Sequence, residues 1–135
     1  MGLRRQAIRY VNDLREDRGL DKLLWDRNLS RPTRRHSREM SRLGDLEHTE
    51  EATFQRRMDR NVGAGEWARA GENIGVSGDL NQNGWDRQDF DDLLKAFRRS
   101  QPHRRNMLRP GYENIGVGLA RGDDGRLYLT YWFYG

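Results

Sequence analysis

The order of elements legible in the sequence predicts an α+β protein or a three-layer α/β/α sandwich. Three observations carry this reading. Apolar residues recur at helical spacing through the first sixty positions. Stretches of β-prone letters appear only afterwards. The last two of them are joined by "RGDDGRL", whose Asp-Gly suits the tip of a hairpin.

Taken in order, Leu3, Ala7, Tyr10, Val11 and Leu14 mark an amphipathic helix over 3–18, with Gly19 placed to end it. "LLWD" follows as an anchor, with Trp25 expected to be buried. Leu29, Thr33, His36, Met40 and Leu43 then step by four, three, four and three, which puts His36 on the apolar face of a second helix. Pro32 fits if that helix starts near Ser30, with the serine as N-cap, or if the helix kinks there; Gly44 ends it. In "HTEEATFQRRMDRNV", Thr49 is the expected N-cap of a third helix, and Phe54 and Met58 lie four apart on its inner face.

"GAGEWARAG" reads as loop and the "ENIGV" after it as a short extended segment. "SGDLNQNGWD" is a polar loop. Its Asp79, Asn81, Asn83 and Gly84 mimic the first half of a calcium loop, but the twelfth position is Phe90, so an ordinary Asn-Gly turn is expected. Residues 87–100 read as a helix with Phe90, Leu93, Leu94 and Phe97 inward. "SQPHRRNMLRPGY" is a helical turn closed by Pro110. "ENIGVGLA" and "LYLTYWFYG" form the terminal hairpin. No linker or low-complexity stretch divides the chain, so residues 1–135 are read as one domain.

The pentapeptide Glu-Asn-Ile-Gly-Val occurs twice, at 72–76 and 113–117. A true repeat would carry matching flanks at a fixed period. The first copy follows a loop and precedes "SGDLNQNG". The second follows a histidine-bearing helical turn and precedes "GLARGDDGRLYL". Two unrelated strands are expected, so Glu72 and Glu113 need not be equivalent.

Composition narrows the function classes. Of 135 residues, 34% are apolar and 34% charged, yet four Trp, five Tyr and the regular apolar spacing argue for a packed domain rather than disorder. The net charge is +4. The basic residues are nearly all Arg, in pairs such as Arg34-Arg35 and Arg104-Arg105, with acids interspersed and no aromatics interleaved. A solvated mixed-charge face is therefore favoured over a nucleic-acid site. The chain has no cysteine, which excludes disulfides, cysteine-ligated zinc and thiol catalysis. No apolar run is long enough for a transmembrane helix. Residues 1–20 lack a signal peptide's apolar core, which leaves either a cytosolic protein or a mature chain without its leader.

Seven pieces, in order, resemble the CAP superfamily of cysteine-rich secretory proteins, antigen five and plant pathogenesis-related proteins. They are "YVNDLREDRGLDKLLWDRNL", "RHSREM", "LEHT", "GENIGV", "FRRSQPHRRNML", "IGVGL" and "GRLYLTYWF". They cover nearly the whole chain, and the match is to the bacterial, cysteine-free branch. The resemblance implies a three-layer α/β/α sandwich with a central, mainly antiparallel sheet, and export to the medium or the cell surface. It also implies a cleft lined by two histidines and two glutamates, which in some members hold zinc or another divalent cation. By motif, His48, Glu72 and His103 take three of these places. Ser100 stands where eukaryotic members have the fourth, a glutamate, and Phe97 stands where their helix carries tryptophan.

Two imidazoles and one carboxylate could hold Zn²⁺ or another divalent cation with positions open to solvent. Alternatively Glu72 fixes a histidine's tautomer. His36 is placed at the edge of the cleft, as a satisfied histidine of the apolar face rather than as a ligand. Ser100, His103 and Glu72 also invite a peptidase-like hydrolase reading, against which stand the missing nucleophile elbow and oxyanion hole. The expected function is binding of a ligand, a protein partner or a divalent metal at the cleft, without robust catalysis and with no organic cofactor.

Overall fold

The computed structural model describes residues 2–78 and 86–135. Helix α1 (Leu3–Asp17) buries Ala7, Val11 and Leu14 of the predicted stripe together with Ile8, while Leu3 and Tyr10 are half-buried. It ends as the Gly19 spacing predicts: Gly19 takes φ 71°, and the Leu20 amide returns to the Arg15 carbonyl at 2.9 Å. A two-residue strand β1 (Leu24–Trp25) follows. Trp25 is half-buried rather than buried, and the Arg27 guanidinium covers its ring at 4.0 Å.

Helix α2 (Ser30–Leu43) begins differently from the sequence reading. A 3₁₀ turn at Arg27–Leu29, capped by Asp26 accepting from the Asn28 amide, runs straight into it. The chain is already turning at Ser30, so that serine is the first helical residue and not the cap. Pro32 falls in the first turn, where an amide has no intrahelical acceptor, and no kink is required. Thr33, His36 and Met40 are buried as expected, Leu43 is exposed, and Gly44 closes the helix at φ 73°.

Helix α3 (Glu51–Asn61), strand β2 (Ala70–Ser77), helix α4 (Arg87–Arg99), helix α5 (Gln101–Met107) and strands β3 (Asn114–Arg121) and β4 (Leu127–Tyr134) complete the chain. The start of α4 is held by a capping box between Asp86 and Asp89. The calcium-like segment at 79–84 lies outside the described residues.

The sheet order is β1-β3-β4-β2. β4 is antiparallel to both neighbours, and only the short β1–β3 pairing is parallel. All eight residues of β4 are buried, so this strand separates two helical layers. Leu127, Leu129, Tyr131 and Phe133 pack with α1, α4 and α5. Tyr128, Trp132 and Tyr134 pack with residues of α2 and α3, and Thr130 meets Ser37 of α2 at 2.8 Å. This alternation along one strand produces the α/β/α sandwich. Each large side chain so buried contributes about 1.5–3 kcal/mol relative to exposure.

One internal strut has no sequence signature. Arg15 is 1% exposed. It donates to the carbonyls of Asp21, Met107 and Arg109 at 2.7, 3.0 and 3.0 Å, tying α1 to the segment after α5.

Candidate functional site

β2 is an edge strand, and its successive residues Glu72 and Asn73 point to opposite faces. Each pins one histidine-bearing segment from a different layer, so the strand joins the segments that carry His48 and His103.

Glu72 lies opposite Trp132 and faces the α2/α3 layer. Its Oε1 accepts from the Thr49 amide at 2.8 Å and from His48 Nδ1 at 2.9 Å. Its Oε2 accepts from Thr49 Oγ1 at 2.6 Å and Trp132 Nε1 at 2.8 Å. The side chain is only 7% exposed. Burial alone would raise the carboxyl pKa. The bonds from Thr49 and Trp132, together with the nearby His36, outweigh burial and hold it below the usual carboxylate value. Glu72 is therefore a charged, fully engaged anchor. Because His48 Nδ1 donates to it, His48 carries its proton there and leaves Nε2 as the open ring nitrogen, on a side chain 63% exposed.

This arrangement replaces the expected Thr49 cap. Thr49 spends both its donors on Glu72, and Glu50 caps α3 by accepting from the Ala52 amide at 3.0 Å.

On the other face, Asn73 is fully buried. Its Nδ2 donates to the His103 carbonyl at 3.0 Å, and its Oδ1 accepts from Asn106 Nδ2 at 2.9 Å. Asn106 also reaches the Glu72 carbonyl at 3.3 Å. These bonds fasten α5 to the edge strand. The His103 ring rests on the edge of Phe97, with centroids 4.8 Å apart, and its Nδ1 meets Ser100 Oγ at 2.8 Å. Burial first, and the charge of His48 second, push the His103 pKa below its usual value. His103 is thus neutral at neutral pH and lies within electrostatic reach of His48.

Ser100 stands at the junction of α4 and α5, where its amide closes α4 on the Ala96 carbonyl at 3.1 Å and its side chain makes no capping bond. Glu72 has no contact with His103, since His48, Thr49 and Trp132 occupy its oxygens; the three groups of the hydrolase reading are not wired as a triad. His36, buried on α2, donates from Nε2 to the Glu47 carbonyl at 2.5 Å and so braces the loop that carries His48. With His48, Thr49 and Arg57 it lines a pocket of about 250 Å³. Glu113 is exposed at the head of β3, on the far side of β4 from Glu72.

The donor set can be tested against a divalent cation. Among the described residues no group of three or more His, Asp or Glu is arranged to hold one. Glu72 would have to release several donors to become a ligand. Of the predicted set, His48 and His103 each keep Nε2 outside the hydrogen bonds described above, and Glu72 stands behind His48 as the carboxylate that orients it.

Sequence reasoning missed Thr49, Trp132, Asn73 and Asn106. A signal existed for Asn73: an asparagine next to a cleft glutamate on a strand must serve the opposite face. Thr49 stood beside His48 in "LEHT" and was read only for helix capping. Nothing in the sequence places Trp132 or Asn106 beside Glu72.

A sequence profile of the cysteine-rich secretory protein family, CAP, matches residues 8–134. The chain belongs to that family, although it contains no cysteine. It is 28% identical over 117 residues to the uncharacterized protein YkwD of Bacillus subtilis (strain 168), covering 86% of this chain and 42% of that protein. Its fold matches the crystal structure of an extracellular SCP-domain protein from Bacillus anthracis with a TM-score of 0.77 at 24% identity, over 98% of this chain and 40% of that one. It also matches NaASP2, solved with Zn²⁺, with a TM-score of 0.62 at 13% identity, over 98% and 80%. The chain spans about two fifths of the length of the two bacterial relatives. Among the described residues no helix is long and apolar enough to cross a membrane.

Proposed function

We propose that the chain is the binding module of an exported protein, and that it takes a ligand, a protein partner or a divalent cation between His48 and His103 without robust catalysis. The observation that carries this reading is the state of Glu72. Four donors converge on its two oxygens, which suits a carboxylate that positions an imidazole and does not suit a general base or a nucleophile's orienter. The extracellular description of the Bacillus anthracis relative supports export, and the Zn²⁺ in NaASP2 supports trying that cation first.

Titration calorimetry with ZnCl₂ tests the reading. Weak binding is expected near neutral pH, because His103 is held neutral there. Binding should fade as pH falls through about 6.5, where free imidazole protonates and ceases to coordinate. His48→Ala/His103→Ala should abolish the heat. Equal heats from both proteins would remove the cleft as the binding site.

The contact between Ser100 Oγ and His103 Nδ1 favours a second reading, a peptidase-like hydrolase using Ser100, His103 and Glu72. On a panel of peptidase and esterase substrates the expected outcome is no turnover above a mock-purified control. Activity that disappears in Ser100→Ala would establish the hydrolase instead.

A further inference from the structure

The outer face of α2 carries Arg31, Arg34, Arg35, Arg38 and Arg42, all exposed. At 1.5 Å rise per residue this stripe runs about 16 Å along the helix. It lines a groove of about 730 Å³. A second groove of about 770 Å³, between the start of α1, Trp25 and β3, joins it at Arg4 and Arg34 and adds Arg5 and Arg27.

Acids interspersed along the sequence are nearly absent here. Among the described residues the only carboxylate within ion-pair distance of these eight arginines is Glu39, 3.5 Å from Arg35. Eight arginines and one glutamate give the two grooves +7. The whole chain carries +4, so everything else together is at −3. The basicity of the protein is concentrated on one elongated, concave face.

We propose that this face docks a linear phosphodiester polymer by its backbone charge. Arginines at successive helical turns, all but Arg35 without a carboxylate partner among the described residues, suit a row of phosphates, because guanidinium donors pair with phosphate oxygens two at a time. The concave, branched path suits a chain rather than a flat membrane surface. Bases are not read: Trp25 is the one aromatic lining the grooves, and Arg27 already covers its ring at 4.0 Å. The face adjoins the pocket beside His48, with which it shares Glu39, but none of its eight arginines lines that pocket.

Fluorescence anisotropy tests this with three probes: oligo-dT, an abasic oligomer of equal phosphate count, and phosphatidylglycerol vesicles. The two oligomers should bind within about twofold of each other, with an affinity that falls steeply with salt. Arg34→Gln/Arg38→Gln should weaken binding at least about fivefold and reduce the slope of log K against log salt by about 1.4, two contacts at about 0.7 each. Arg98→Gln/Arg99→Gln, with the same charge loss on the opposite layer, should bind as wild type does. Should the first variant fold poorly, Arg31→Gln/Arg42→Gln makes the same measurement. The proposal is overturned if neither oligomer binds at low salt, or if the Arg98/Arg99 variant loses as much as the α2 variants. Oligo-dT exceeding the abasic oligomer tenfold would mark a base reader instead, and binding of vesicles alone would mark a membrane surface.

Discussion

At 72–76 the pentapeptide Glu-Asn-Ile-Gly-Val pairs with β4 so that Ile74 lies opposite Thr130; at 113–117 the same five letters place Ile115 opposite Phe133. Cross-strand partners share a face, and Thr130 and Phe133 point to opposite sides of the sheet. The second copy is therefore turned over relative to the first. Ile74 packs with Met40 and Tyr128 towards α2, whereas Ile115 joins the core with α1 and α4. Gly75 faces Phe97 of α4, whereas Gly116 faces Leu29 beside α2. Identical letters share a strand propensity, but register against β4 decides which layer each residue serves, and a shift of one residue inverts the whole set. Register puts Glu72 opposite Trp132 on the α2/α3 face, where it is an anchor, whereas Glu113 precedes the first paired residue of β3 and is exposed.

The two glycines offer the strongest way to break that comparison. A Cβ on Gly116 would sit 2.2 Å from the Leu29 Cβ, an atom fixed to the backbone where it enters α2. On Gly75 it would meet Phe97 Cζ at 2.6 Å and Leu93 Cδ1 at 2.8 Å, the movable ends of two side chains. Gly116→Ala should cost about 3 kcal/mol and Gly75→Ala about 1 kcal/mol, read from urea midpoints at constant m. Equal costs would mean that the two faces are packed alike.

The glutamates come next. Glu72→Gln keeps the shape but turns an NH₂ towards donors, and should cost about 2–3 kcal/mol; Glu113→Gln should stay within about 0.5 kcal/mol. The pH dependence sharpens the contrast. The Glu72 pKa lies below its ordinary 4.5, so its contribution is complete above that value and is lost as pH falls through the lower, folded-state pKa. Wild type should therefore lose stability across that acid window. Glu113→Gln should keep the same limb and Glu72→Gln should show a shallower one, since Glu50 and Asp124 are also held below their ordinary values, in melting temperatures measured from pH 7 to pH 2.

Asn73 is the third lever. Asn73→Ala removes the bond to the His103 carbonyl and the shorter bond from Asn106, which keeps only its 3.3 Å bond to the Glu72 carbonyl, and should cost about 2 kcal/mol. Asn114→Ala, half-buried and without a side-chain hydrogen bond among the described residues, should cost about 0.5 kcal/mol. Only the first should also weaken zinc binding, because only Asn73 tethers α5.

Much of this was legible beforehand, for physical reasons that differ by element. The α4 stripe of Phe90, Leu93, Leu94 and Phe97 was readable because a helix's period is local, and all four residues are buried. The hairpin of β3 and β4 was readable from its turn. Family motifs point to His48, Glu72 and His103; Glu72 bonds His48, and its neighbour Asn73 bonds the His103 carbonyl. Thr49 was misread because a threonine before two glutamates satisfies the local rule for a cap, and a tertiary acceptor with two free oxygens outcompeted it. Ser30 was misread because the preceding 3₁₀ turn depends on Asp26, whose own fit depends on Tyr134 more than a hundred residues away. The face assignments of the two pentapeptides depend on pairing with a third strand that neither contains.

The smallest expected effect belongs to Ser100. By the family resemblance it takes the fourth place of the cleft, where a glutamate is expected, and its hydroxyl meets His103 Nδ1 at 2.8 Å. Yet His103 is held by other means: its carbonyl by Asn73, and its ring by the edge of Phe97. Ser100→Ala should therefore change stability by no more than about 0.5 kcal/mol, as for a partly exposed hydroxyl whose partner can turn to water. Zinc affinity should stay within about twofold, since the open nitrogens of His48 and His103 remain. The His103 titration should remain below that of free imidazole, because burial is the first cause of its shift and the serine is not among the causes. Stability held by neutral His103 is present above about 6.5 and declines as pH falls below it, and this window should be the same in both proteins. A proton NMR titration of the His103 ring reads the point directly. A pKa that rises to the free value in Ser100→Ala would make the serine part of the cleft's working machinery, and would reopen the hydrolase reading that the engagement of Glu72 argues against.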